Sequence, residues 1–205
     1  MFWDERLVEK GTYLVVRRHQ ALTALDELAL RVHNELTDGT EVLHLRYLPS
    51  VELDSQPDGD SARVAFRAQL EALHRREIAA GMTLVGPHRD EVRFLINEVD
   101  AGVYASRGQQ RTVALALKLA EVDLMRRETG EHPVLLLDDV LSELDAHRRR
   151  FLVRCLNDGP QQAIITTTDL HALPQALLQR CQLWRVQMGR LGQMATPTGT
   201  PGEPA

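Results

Sequence analysis

The sequence predicts an α/β layer structure preceded by a mainly helical unit, and three observations predict it. A long stretch near the start repeats apolar residues at helical spacing. A short, wholly apolar run at 133–137 sits between polar flanks, and strand-like and helix-like segments alternate from residue 81 onward. With 43% hydrophobic and 26% charged residues in 205, the chain has the composition of a globular protein of one or two domains. The expected division is a helical segment over 1–80, an α/β lobe over 81–194 and a disordered tail rich in Pro, Gly and Thr over 195–205.

Each element has its own signal. Over 4–37, Leu7, Tyr13, Leu14, Ala21, Leu25, Leu28, Ala29 and Val32 recur mostly three or four apart, which predicts one or two amphipathic helices stopped by Thr37-Asp38-Gly39-Thr40. Leu, Val and Tyr over 42–53 predict a strand or two, 54–59 with Pro57 a loop, and 62–80 a second helix. Val92, Phe94 and Ile96 alternate with polar residues; a turn over 98–102 and extended chain over 103–105 complete a predicted hairpin. Residues 109–127 are strong helix formers, stopped by Gly130. The run at 133–137 predicts a strand covered on both faces of a parallel sheet. Beyond it, 145–157 predicts a helix, 162–167 a strand, 170–178 a short helix, and 182–188 with Gly189 a late hairpin strand.

A formal net charge of -5 excludes a global basic field, so any nucleic-acid contact has to come from a local patch. Lysine occurs only at Lys10 and Lys118, leaving arginine as nearly all of the positive charge. Arginine binds phosphate and carboxylate bidentately, while a GC-rich coding bias explains the same excess without function. Cys155 and Cys181 lie far apart with no metal-ligand spacing, which argues against a disulfide framework or zinc site. The first residues do not read as a signal peptide and no 18-residue apolar run occurs, so a cytoplasmic protein with no membrane association is expected.

Chemistry concentrates in three segments. Val134-Leu135-Leu136-Leu137-Asp138-Asp139 is a buried-strand pattern ending in paired carboxylates. At the carboxyl end of a parallel strand, one acid can hold Mg²⁺ through water and the second can orient or deprotonate an attacking water. Two aspartates that merely cap the next segment are an equally open reading. Ser106-Arg107-Gly108-Gln109-Gln110 opens the long helix, where a hydroxyl and exposed N–H groups suit phosphate, or where the serine is simply an N-cap. Ser142-Glu143-Leu144-Asp145 precedes Arg148-Arg149-Arg150, alone no more than a capped basic helix. His88-Arg89-Asp90 invites a kinase catalytic-loop reading that Leu95 refutes, since an Asn is required there; an Arg89–Asp90 surface pair is the default expectation.

In that order, the three segments resemble the signature, Walker B and D-loop of ABC ATPases, and their wording, with Gly86-Pro87-His88-Arg89-Asp90 upstream, is similar to the RecF recombination-repair family. The resemblance runs from the first residues to Met194. It implies an ABC-type P-loop NTPase C-terminal lobe, mostly parallel sheet with flanking helices, joined to a helical second domain. It also implies ATP and Mg²⁺ as cofactors, Asp138 as the Mg²⁺-associated acid and Asp139 as the catalytic base, where ABC enzymes usually carry Glu. Ser106, Arg107, Gly108, Gln109 and Gln110 then match the signature that meets the γ-phosphate of the opposite subunit, Asp145 the D-loop acid, and Thr168 the switch position usually held by His. The family's biology implies a slow ATPase acting in DNA replication, recombinational repair and the SOS response. It further implies binding to single-stranded and gapped DNA, an ATP-dependent homodimer, recombinase loading and mediator partners of the RecO/RecR type.

No lysine follows a Gly-x-x-x-x-Gly, so the Walker A loop is lacking in this chain. The lobe is therefore expected to be incomplete, a piece of a longer protein, and inactive as an ATPase by itself. Two other functions fit parts of the pattern: the C-terminal half of an SMC- or Rad50-like ATPase, against which the break at Asp38-Gly39 argues, and a non-enzymatic DNA-binding or dimerisation module using Arg75, Arg76 and 148–150.

Overall fold

The structure, a computed structural model, describes residues 2–54, 57–157, 162–170 and 173–195, with backbone alone at 142 and 143. Two compact units divide the chain, Met1–Thr129 and Gly130–Ala205.

In the first unit, α1 (Phe2–Leu36) is a single unbroken helix. It stops where expected because the Thr37 hydroxyl donates to the His33 carbonyl at 2.8 Å, and Gly39 N–H, in the left-handed region, donates to Asn34 O at 2.9 Å. β1 (Leu43–Leu48), α2 (Gly59–Ala80), β2 (Glu91–Ile96), β3 (Val99–Asp100), α3 (Ala101–Tyr104) and α4 (Arg107–Thr129) follow. The Asp58 carboxylate starts α2 by accepting the N–H groups of Asp60 and Ser61, and Gly81 at φ 65° ends it. α1 packs against α2, α4 and β1. Val51, Phe66 and Val85 are fully buried, with Leu7, Leu70 and Leu73 against them. Gly11 permits this packing: a Cβ there would lie 2.3 Å from Phe66 Cε1.

β1, β2 and β3 form one antiparallel sheet, with Leu43 opposite Ile96 and Leu48 opposite Glu91. The limit expected at residue 80 thus separates β1 from its own hydrogen-bonded partner, and the unit instead runs to Thr129. The hairpin turn is also tighter than the sequence suggests. Asn97 and Glu98 both take positive φ, and the chain expected to be extended over 103–105 is wound at 101–104 into α3, because the Asp100 carboxylate captures Gly102 N–H at 2.8 Å.

The Gly86-Pro87-His88-Arg89-Asp90 segment anchors this unit. Asp90 has a buried carboxylate that accepts hydrogen bonds from the Tyr47 phenol, from Ser50 N–H at 2.9 Å and from Arg18 at 3.2 Å. Burial, and after it the adjoining carboxylate, raises the Tyr47 pKa, keeping the phenol a donor. Arg89 is not the partner of Asp90, as the sequence suggested; its guanidinium turns back to the Thr83 carbonyl at 3.0 Å.

The second unit contains β4 (Leu135–Asp138), a 3₁₀ turn (Val140–Glu143), α5 (Ala146–Asn157), β5 (Ala163–Thr166), α6 (Gln175–Leu178), β6 (Leu183–Gln187) and β7 (Arg190–Met194). β4 and β5 are parallel, in register from Leu135 opposite Ala163 to Asp138 opposite Thr166; β6 and β7 form an antiparallel hairpin about Met188-Gly189. Leu135 and Leu137 are buried, as are Leu141, Phe151, Leu152 and Val153. The other face of the pair is bare: Leu136 is 66% and Ile164 55% exposed, so the strand expected to be covered on both faces is covered on one. The tail expected from 195 lies, from 196 onward, outside the described residues. Among the described residues no helix is long and apolar enough to cross a membrane.

Candidate nucleotide-site segments

The signature-like segment Ser106 to Gln110 opens α4 as a reciprocal capping box. The Ser106 hydroxyl accepts Gln109 N–H at 3.2 Å, and Gln109 Oε1 accepts Ser106 N–H at 2.9 Å. Two donors that the helix start would leave unpaired are satisfied by this exchange. Ser106, Arg107, Gly108 and Gln110 are exposed, whereas Gln109 is half-buried and donates from Nε2 to Glu41 Oε1 at 2.9 Å. Because the Ser106 oxygen accepts within the helix, its own O–H remains free to be donated outward. The nearest atom to a Cβ placed on Gly108 is Ser106 Oγ at 3.9 Å, so packing within the chain does not require glycine there.

Asp138 ends β4 and Asp139 follows it in the left-handed region, φ 49° and ψ 22°, which aspartate tolerates better than most residues. Both are exposed. A residue that the sequence reading did not single out joins them: the Thr166 hydroxyl donates to Asp138 Oδ1 at 2.5 Å and accepts Asp139 N–H at 2.9 Å. No local signal marks it: only the register of the parallel β4–β5 pair sets the last residue of β5 level with Asp138. Side chains alternate along a strand, so Asp138 and Thr166 share the face that carries exposed Leu136 and Ile164. Thr168 lies two residues further on and is exposed, inside a turn in which the Thr167 hydroxyl accepts Asp169 N–H at 3.2 Å.

Asp145 caps α5. Its carboxylate accepts Arg148 N–H at 2.9 Å and pairs with the Arg148 guanidinium at 2.8 Å, and the backbone bond first and the charge of Arg148 after it hold its pKa below the ordinary carboxylate value. Arg149 bonds the Leu144 carbonyl at 3.0 Å, so two of the three arginines in the basic run are engaged at the start of their own helix. The side chains of Ser142 and Glu143 lie outside the description.

Among the described residues no group of three or more His, Cys, Asp or Glu side chains is arranged to hold a metal ion. Mg²⁺ needs no such cage, because it keeps several waters and takes one or two carboxylates together with phosphate oxygens, and Asp138 at a strand's carboxyl end fits that mode. Two cavities of the first unit are lined by His19 and Thr23 of α1 and by other residues of that unit, and none of Ser106 to Gln110 contributes to either.

No protein-family model matches the chain. By sequence it is similar to proteins described as DNA replication and repair protein RecF. The relative from Crocosphaera subtropica is 41% identical over 192 residues, 94% of this chain and 50% of that protein. That of Synechococcus sp. is 44% identical over 191 residues, 93% and 50%, and that of Geobacillus thermodenitrificans 40% over 185 residues, 90% and 50%. Two solved structures of the recombination mediator protein RecF in the RecFOR pathway, RecF-ATP and RecF-ATPrS, superpose with a TM-score of 0.79 at 32% identity, over 95% of this chain and 50% of theirs. The chain thus spans about half the length of the curated relatives it matches. With a mixed α/β fold, a parallel strand pair ending in two aspartates and this identity along nearly its whole length, the chain belongs to the RecF family, of which it is a C-terminal portion.

Proposed function

We propose that this chain supplies the signature, Walker B and D-loop parts of an ATP-dependent, cytoplasmic DNA-repair protein of the RecF type. The observation that carries the reading is the Asp138–Thr166–Asp139 arrangement at the carboxyl edge of a parallel strand pair, where α/β proteins take their ligands. In this role Asp138 holds Mg²⁺ through water, and Asp139 orients the attacking water. The shorter arm of Asp139, compared with the usual Glu, and an uncharged Thr168 at the switch position both favour slow hydrolysis. The Ser106 O–H and the exposed residues Arg107, Gly108 and Gln110 are the parts that meet a γ-phosphate bound by the opposite subunit, and Asp145 is the D-loop acid of the second unit. Bound MgATP supplies the phosphoryl group and the charge that draws two subunits together. Single-stranded and gapped DNA, recombinase loading and mediator proteins of the RecO/RecR type are the corresponding partners that the family resemblance implies; the related structures, of RecF in the RecFOR pathway, support the mediator context alone.

The test uses a full-length RecF-family protein carrying this chain. Asp139→Asn is expected to lower ATP turnover by at least about tenfold with nucleotide binding unchanged, in the range typical of a displaced acid–base group. Ser106→Arg is expected to abolish ATP-driven dimers while sparing nucleotide binding, as judged by sedimentation. Unchanged turnover in the first variant, or intact dimers in the second, removes the corresponding assignment.

A further inference from the structure

The capping box at the start of α4 does not stand alone. The side-chain amide of Gln109 is fixed at both ends: Oε1 takes Ser106 N–H at 2.9 Å, and Nε2 gives a hydrogen to Glu41 Oε1 at 2.9 Å. Glu41 lies 68 positions earlier, just past the stop of α1, with its side chain 19% exposed. Its second oxygen, Oε2, lies 3.2 Å from Nε2 of His33, a residue fully buried on the inner face of α1. A relay therefore runs from a buried ring through a carboxylate and an amide to the signature serine.

Two features make the relay directional. The carboxylate accepts and cannot donate, so it selects one orientation of the Gln109 amide; the flipped amide would set oxygen against carboxylate and NH₂ against Ser106 N–H, two repulsions for two bonds. Glu41 is itself held in place, because the turn before it is closed by the Thr37 and Thr40 hydroxyls, which donate to the His33 and Thr37 carbonyls at 2.8 and 2.6 Å. The geometry points to Glu41 as a positioning residue of the signature segment, one that acts through Gln109 to orient Ser106 and ties that orientation to the last turn of α1. Its meaning for nucleotide rests on the reading of Ser106 given above, while the coupling itself does not.

Amide hydrogen exchange on the 205-residue chain reads the coupling directly. Glu41→Ala is expected to speed exchange at Ser106 and Gln109 by about three- to tenfold, the scale of one ordinary net hydrogen bond. Amides in the middle of α4, at Leu115 to Leu119, should not change. Glu41→Gln keeps an acceptor for Gln109 without the charge, so it should give a smaller rise; it also carries the test if the alanine variant does not fold. No change at Ser106 and Gln109, or an equal rise along all of α4, overturns the proposal. In the full-length protein Glu41→Ala should weaken ATP-driven dimerisation without altering nucleotide binding. Faster exchange with intact dimers upholds the positioning role and instead overturns the assignment of Ser106 to the γ-phosphate.

Discussion

Asp90 and Thr166 show how much a single side chain carries when its position is set by long-range contacts. Asp90 is 2% exposed and satisfies Tyr47, Ser50 and Arg18 from three parts of the first unit. Asp90→Ala would leave a phenol and a backbone N–H without an acceptor, but Arg18 is 45% exposed and water can receive it, so the expected cost is about 2 kcal/mol rather than the larger loss of a wholly buried pair. Urea denaturation should show a lower midpoint with an unchanged slope. The exposed Arg67–Glu5 pair at 2.7 Å is expected to contribute little by comparison, although it is just as visible on a surface map. Thr166 sits in solvent, so its two bonds matter for geometry more than for stability. Thr166→Val should cost about 1 kcal/mol and expose Asp139 N–H to faster exchange, whereas Thr166→Ser should retain both bonds and the slow exchange. Equal exchange in the two variants would show that the hydroxyl does not hold the aspartate pair.

At the level of elements, the helix ends were legible because capping chemistry is local. Thr37-Asp38-Gly39-Thr40, Gly81 and Asp145 all act within a turn of where they stand in sequence. Asp145→Ala is expected to destabilise the second unit by about 1 kcal/mol at neutral pH, the usual cost of an N-cap, with little more from an ion pair whose carboxylate is 53% exposed. The folded pKa of Asp145 is depressed below 3.8, so its contribution is complete above that value and disappears as pH falls through the folded value. The stability gap between the parent chain and the variant should therefore close in acid; a gap that does not narrow as pH falls below 3.8 would assign the loss to something other than the ionised cap. The same local logic misses the hairpin turn at Asn97-Glu98 and the coiling of α3, because a two-residue turn followed at once by a capped helix looks like a longer turn followed by a strand.

For the whole molecule, the segments proposed for the nucleotide site fall in both units. Ser106 to Gln110 lie within Met1–Thr129, and the two aspartates, Thr166 and Asp145 within Gly130–Ala205. With no Gly-x-x-x-x-Gly-Lys in the sequence, the isolated chain is expected to show no ATP turnover above background in a phosphate-release assay, and measurable turnover would contradict the assignment of its parts. Helices, the apolar strand ending in paired acids and the ordered motifs were all readable from the sequence, because periodicity, capping and spacing are properties of neighbouring residues. Which residues share a surface was not. The partnership of β1 with β2 across residue 80, the choice of Thr166 beside Asp138, the turn of Arg89 away from Asp90 and the link from His33 through Glu41 to Gln109 join positions that sequence order keeps apart. Only the tertiary structure decides such pairs, because register and helix packing select among many side chains of equal local fitness.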